Sequence, residues 1–225
     1  MKKLVTFMVF VFCATSIFAQ EAPKTERPKD PSATMSAASL ALELANYGYA
    51  NKSVISLVES ARIILSTPFQ PMEVVKSEPS NGDAGAKVAK APQLDPKLLL
   101  RDAKIYAEDN ETLLALVAMV EEEANSKSRG RVAGAAAVQR RVYGNSTYTD
   151  YVLFKGQELA EVAVIGDGDT DLDLYVYDEN GNFIAQDTNN TDVCYISFTP
   201  KWQGSFRVVV KNVGALYNDY VLLTN

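Results

Sequence analysis

The hydrophobic period of this chain changes once, and that change constrains the fold more than any single motif does. Up to about residue 128 the apolar residues recur at the three-to-four spacing of amphipathic helices. From Arg131 onward they alternate, in short runs broken by KGQ, GDGD, DENGN, TNNTD, PKWQG and NVGALYN. Alternation sends successive side chains to opposite faces, so each run reads as a strand with one buried face, and the turn-rich breaks between short runs favour antiparallel pairing. Strands are expected over 137–143, 148–154, 158–165, 172–178, 183–187, 193–199, 205–211 and 219–223, enough for an antiparallel β-sandwich with a core of its own.

Before the switch, residues 38–128 are expected to form a helical domain of two hairpins. The first runs over 38–49 and, through Asn51, into a helix whose Val54, Val58, Ala61 and Leu65 make one stripe that Leu57 and Ile64 widen. It stops before Pro68. The second opens at Leu94-Asp95-Pro96, where Asp95 suits the N-cap and Pro96 the first helical position, and its second helix carries Leu113, Leu116, Val117, Val120 and Ala124 on one face. Residues 40–62 overlay 98–120 with Leu40 on Leu98, Leu42 on Leu100, Ala45 on Ala103, Ile55 on Leu113 and Val58 on Leu116, a weak internal duplication. Four such helices bury their stripes against one another as a small bundle. Residues 20–37, with three prolines and few large hydrophobes, read as a flexible tether, and the Pro-, Gly-, Ser- and Ala-rich stretch at about 66–93 as a mobile loop.

The first 19 residues have the basic start, apolar core and small-residue end of a secretory signal peptide, and Phe12 before Cys13 argues against a lipoprotein. Removing them takes two lysines and no acid, so the formal charge moves from −6 to −8. Such a balance disfavours nucleic acid as a partner, and no later stretch is long and apolar enough to span a bilayer. Export is expected, to the periplasm, the outer surface or the medium. It would leave Cys194 as the one cysteine, placed in the alternating run CYISF as a buried thiol. The chain contains no histidine, which excludes zinc-hydrolase sites, Ser-His-Asp triads and Cys-His dyads while leaving carboxylate pairs open.

The stretch GDGDTDLDLYVYDENGN, 166–182, is the chemically richest. Strand parity turns Leu172, Leu174 and Val176 toward the core and Asp173, Tyr175 and Tyr177 away from it. Asp178, Asn180, Gly181 and Asn182 have the chemistry of a hairpin turn. Asp167, Asp169 and Asp171, with Asp192 or carbonyls of 188–191 completing a shell, are candidate calcium ligands, since calcium takes six to eight oxygens from flexible loops. The glycine and glutamate of an EF-hand are absent from their places. A solvated acidic loop and a catalytic carboxylate pair are the other readings.

GDGDTDLDLYVYDENGN together with CYISFTPKWQGSFRVVVKNVG resembles the bacterial pre-peptidase C-terminal domain over about residues 131–225. The resemblance implies a secreted, jelly-roll-like sandwich; members often follow a secreted peptidase, and some collagen-binding relatives bind calcium. Residues upstream of the sandwich do not read as a peptidase, so that association is not carried over, and the resemblance does not reach the helical half. The fold class is thus multidomain, α plus all-β: a small α-helical bundle of two hairpins followed by an antiparallel jelly-roll-like β-sandwich.

Three function classes follow. The first is a noncatalytic exported binding or adaptor protein whose sandwich recognises a surface polymer or protein. Tyr175, Tyr177 and Tyr195 are its expected contact surface, because parity points all three outward and tyrosine gives a rigid, amphipathic contact. The second is a structural or assembly component of the cell envelope. The third is a hydrolase using paired carboxylates.

Overall fold

The computed structural model describes residues 30–82, 89–126 and 134–225. The expected signal peptide, 1–19, lies outside the described residues. Ser32 caps α1 (Ala33–Asn51) by accepting from the Met35 N–H. The helix ends where Lys52 turns into the left-handed region at φ 51°, and its N–H returns to Gly48 O. Ser53 then caps α2 (Val54–Ser66). A Cβ at position 48 would stand 2.6 Å from Leu57 Cδ2, so glycine there lets the two helices cross at close range. Asp95 caps α3 (Pro96–Ala107) with Pro96 in its first turn, as the sequence requires, and Asn110 accepts from Leu113 N at the head of α4 (Glu111–Ser126). Leu57, Val58, Ala61, Leu99, Ala103, Val117 and Val120 fill the bundle core.

The alternating half forms β3 (Ala136–Val142), β4 (Thr147–Phe154), β5 (Ala160–Ile165), β6 (Leu172–Tyr177), β7 (Phe183–Asp187), β8 (Val193–Phe198), β9 (Gly204–Asn212) and β10 (Asn218–Thr224). Leu172, Leu174 and Val176, Cys194, Ile196 and Phe198, and Phe206, Val208 and Val210 all point into one buried core, as parity demands. The expected class, helices followed by an all-β sandwich, is what the chain adopts.

The expected mobile loop at 66–93 is corrected over 70–78, and its residues 83–88 lie outside the described residues. It supplies β1 (Gln70–Pro71), parallel to β3, and β2 (Val74–Glu78), antiparallel to β4. The first sheet therefore runs β1-β3-β10-β5-β8 and the second β2-β4-β9-β6-β7. The reason is local: Val74 to Glu78 complete the free edge of β4, and the Ser77 hydroxyl donates to Asp150 Oδ1 at 2.5 Å. Asp150 is 1% exposed and is also gripped by Arg140, with Nε 3.0 Å from Oδ2 and Nη2 3.1 Å from Oδ1. That clasp joins β3 of the first sheet to β2 and β4 of the second.

The expected tether at 20–37 lies outside the described residues over 20–29 and is corrected at its end. Residues 33–37 are helical and Met35 is wholly buried, because α1 is docked on the sandwich. Met35, Ala38 and Leu42 pack with Ala163, Ile165, Val221 and Leu223 on the outer face of the first sheet. Ser32 N donates to Glu161 Oε1 at 2.7 Å and Asn46 Nδ2 to Gly166 O at 2.6 Å, fastening the two ends of the helix. Helix-to-strand packing runs from α1 onto β5 and β10. The result is three layers: helices, first sheet, second sheet.

Candidate functional site

The outward side of the second sheet carries the residues that parity turns away from the core, and strand order decides which of them become neighbours. Lys76 pairs with Tyr151, Tyr151 with Arg207, Arg207 with Tyr177, and Tyr177 with Phe183. These pairings make one row across all five strands. Beside it lies a second row of Glu78, Thr149, Val209, Tyr175 and Gln186.

Within the first row rings and cations alternate. Lys76 Nζ stands 5.2 Å from the Tyr151 ring centroid, and the Arg207 guanidinium carbon 4.5 Å from that of Tyr177. The Tyr177 and Phe183 rings meet edge to face at 5.9 Å. Hydroxyl tips are anchored from the second row and its neighbour: Tyr151 OH donates to Glu78 Oε1 at 3.2 Å, and Tyr175 OH to Asp173 Oδ2 at 3.0 Å. Burial first, and then this bond to Asp173, raises the Tyr175 hydroxyl above its ordinary range, so it stays a neutral donor. The face is open to solvent at Leu153, 55% exposed, and Phe183, 41% exposed. Its chemistry is that of a rigid, flat, amphipathic contact.

Tyr175 and Tyr177 are where parity places them, and Tyr195 is not part of this face. Tyr195 does point outward from its strand, but β8 belongs to the first sheet, whose outer side is under α1. Its hydroxyl donates to the buried Glu161 at 2.7 Å, so the ring belongs to the helix dock. The three tyrosines expected as one surface therefore lie on two sheets. Tyr151, Phe183 and Arg207 replace Tyr195 as neighbours of the pair, and only the order of strands reveals that.

The acidic residues resolve into separate duties. Asp167 Oδ1 accepts from Asp169 N and Oδ2 from Asp219 N, while Asp192 Oδ2 accepts from Gly168 N. Asp169 Oδ2 accepts from Ala89 N at 3.3 Å. These carboxylates hold backbone turns together. Asp171 differs: its Oδ1 is enclosed without a hydrogen-bond partner, and burial, then Asp173 and Asp192, raise its carboxyl above the ordinary range. Among the described residues no group of three or more His, Cys, Asp or Glu side chains converges as a metal site. Asp178 closes the expected hairpin turn, accepting from Asn180 N and Asn182 N, with Gly181 at φ 83°. Cys194 is buried, donates to Leu172 O at 3.0 Å, and burial pushes its thiol far up, away from nucleophilic use.

No family model matches the chain, and no curated protein matches it. Several solved structures are similar over part of it, among them the following three. One is Aeromonas hydrophila PliG, a periplasmic inhibitor of g-type lysozyme, at 12% identity and TM-score 0.33, covering 40% of this chain and 84% of that one. Another is the pre-peptidase C-terminal domain of a Bacillus anthracis collagenase, at 13% identity and TM-score 0.32, covering 40% and 89%. The third is the apo form of CBM1, a carbohydrate-binding module of BiXyn10A, at 12% identity and TM-score 0.29, covering 41% and 73%. The second of these is a distant structural relation to the family that residues 131–225 resemble, and it extends no further than fold.

Proposed function

We propose that this chain is a noncatalytic exported binding or adaptor protein that holds a protein or an extracellular polymer against the outer face of its second sheet. One observation carries the reading: Lys76, Tyr151, Arg207, Tyr177 and Phe183 form an unbroken ring-and-cation row over five strands. Rigid aromatic and arginine side chains are the residue types that dominate binding energy where surfaces meet. The lack of histidine and the buried state of Cys194 support the noncatalytic part. No described helix is long and apolar enough to cross a membrane.

The test is capture of envelope components by the mature chain, compared with a variant carrying Tyr151→Ala, Tyr177→Ala and Phe183→Ala. Melting should stay cooperative while capture is lost. Tyr195→Phe is the control, expected to leave capture intact. If the triple variant captures the same components equally well, the face is only sheet surface.

A second reading, an envelope assembly component, draws on α1. Leu40 and Tyr47 are 51% and 58% exposed on the side of the helix turned away from its dock. Light scattering over a concentration series addresses it: a mass that rises with concentration in the wild type and not in a Leu40→Glu, Tyr47→Glu variant supports assembly.

A further inference from the structure

The chain contains two Asn-Gly steps, Asn81-Gly82 and Asn180-Gly181, and the fold treats them in opposite ways. At such a step an asparagine loses its amide most readily, because glycine puts no side chain in the way when its own backbone nitrogen closes onto the asparagine Cγ. Closure needs a backbone N–H free to give up its proton and a chain free to turn. At Asn180-Gly181 both are denied. Gly181 N donates to Asp178 O at 3.1 Å, Asn180 N and Asn182 N donate to Asp178 Oδ1 at 2.9 and 2.8 Å, and the turn holds Gly181 at φ 83°.

At Asn81-Gly82 the constraints stand on either side of the step and leave the step itself open. Ser80 is buried against β3: its hydroxyl accepts from Tyr143 N at 3.0 Å and donates to Arg141 O at 3.4 Å. Gly82 lies on Tyr143, where an added Cβ would stand 2.7 Å from Tyr143 Cβ, so packing keeps glycine at the position that makes the reaction easiest. Asn81 and Gly82 are both exposed to water, and the Gly82 N–H has no hydrogen-bond partner among the described residues.

We infer that Asn81 is a self-modification site, converted without an enzyme in the folded chain, while Asn180 is protected by its turn. The Gly82 nitrogen gives its proton to water and bonds to Asn81 Cγ. The Cγ–Nδ2 bond breaks, and Nδ2 takes up a proton and leaves as ammonia. Water then opens the cyclic imide at either carbonyl, leaving aspartate or isoaspartate, and either product adds one negative charge at neutral pH. Isoaspartate also routes the backbone through the former side chain, which inserts a methylene between Ser80 and Gly82, two residues that both bear on Tyr143. The conversion therefore works against the Ser80 anchor and loosens the corner where the chain leaves β2. It does not depend on the proposed binding role of the second sheet.

The experiment ages the full mature chain at mildly alkaline pH, beside a sample kept unfolded in guanidinium chloride, and follows both asparagines by peptide mapping with mass spectrometry. In the unfolded sample the two steps should react at similar rates. In the folded chain Asn81 should stay within about twofold of its unfolded rate, whereas Asn180 should slow by roughly tenfold, since its Gly181 N–H must first give up a hydrogen bond. Asn81→Gln should remove the conversion at that position and leave the slow one at Asn180. After ageing, the Tyr143 N–H, whose acceptor is the Ser80 hydroxyl, should exchange its hydrogen faster in the wild type than in Asn81→Gln aged alongside it. A folded chain in which Asn81 is slowed as much as Asn180, or in which Asn180 converts as fast as Asn81, overturns the inference. Equal Tyr143 exchange in the converted wild type and the variant overturns the loosening of the corner.

Discussion

A chain cut to residues 134–225 keeps β3 to β10 and loses α1, β1 and β2, and it is expected to show no cooperative thermal transition as a soluble monomer. Ile165, Val221 and Leu223 are fully buried in the cluster that α1 completes. Burying such a side chain contributes about 1.5–3 kcal/mol, so uncovering three withdraws roughly 5–9 kcal/mol from the sandwich. A domain has only about 5–15 kcal/mol to lose. The cut also frees the edges of β3 and β4, which invites edge-to-edge association, and strips the Ser77 hydroxyl from the buried Asp150. Circular dichroism melts with light scattering on the same samples check this. In the full chain, Leu42→Ala should cost about 2–5 kcal/mol through the cavity it leaves in the dock. A monomeric 134–225 fragment that melts cooperatively within about 5 °C of the mature chain would refute the reasoning, since a shift that small corresponds to about 1 kcal/mol.

Three further outcomes are expected. Asp150→Ala leaves the Arg140 guanidinium in the clasp without its partner and should cost about 3–5 kcal/mol in urea unfolding, with Arg140→Met plus Asp150→Leu recovering most of it; a loss below about 1 kcal/mol for the single change contradicts the clasp. Asp171 is held above the ordinary carboxylate range by burial and by Asp173 and Asp192, so the folded chain binds that proton more tightly than the unfolded one. Stability from this group is therefore present at low pH and declines as pH rises from the ordinary carboxylate value through the raised one; Asp171→Asn should flatten that decline and raise the midpoint at neutral pH slightly, which a pH series of melts reads directly. Millimolar calcium should leave the melting midpoint unchanged, because Asp167, Asp169 and Asp192 already hold backbone N–H groups; a clear rise that Asp171→Asn abolishes would restore the metal reading.

Parity and capping carried the sequence reading a long way. The inward rows of β6, β8 and β9, the Asp95-Pro96 helix start and the Asp178 turn are local consequences of residue chemistry, and they appear as expected. What failed depends on who stands next to whom. Parity states which side of a strand Tyr195 occupies and nothing about the helix above that side. Tyr151, Arg207 and Phe183 come from strands separated by dozens of residues, and they meet only because β9 lies between β4 and β6. Val74 to Glu78 reads as loop because its flanks are rich in Pro and Gly, yet five residues pair readily once a free edge is offered. The unpartnered Asp171 oxygen is likewise a property of packing, with no trace in the spacing of acids.

The crossing of β1 and β2 also sets an order of events during synthesis. Gln70 pairs with Ala136 and Glu78 with Thr149, so each of these strands leaves the ribosome well before its partner. The bundle closes through near-neighbour helices and can form early, but the dock and both sheet edges depend on pairings made across long stretches of chain. Until β4 arrives the edge of β2 stays unpaired, and until β5 and β10 arrive the docking side of α1 stays uncovered, so the chain is at its most aggregation-prone in that interval. Slow, late closure is thus written into the connectivity.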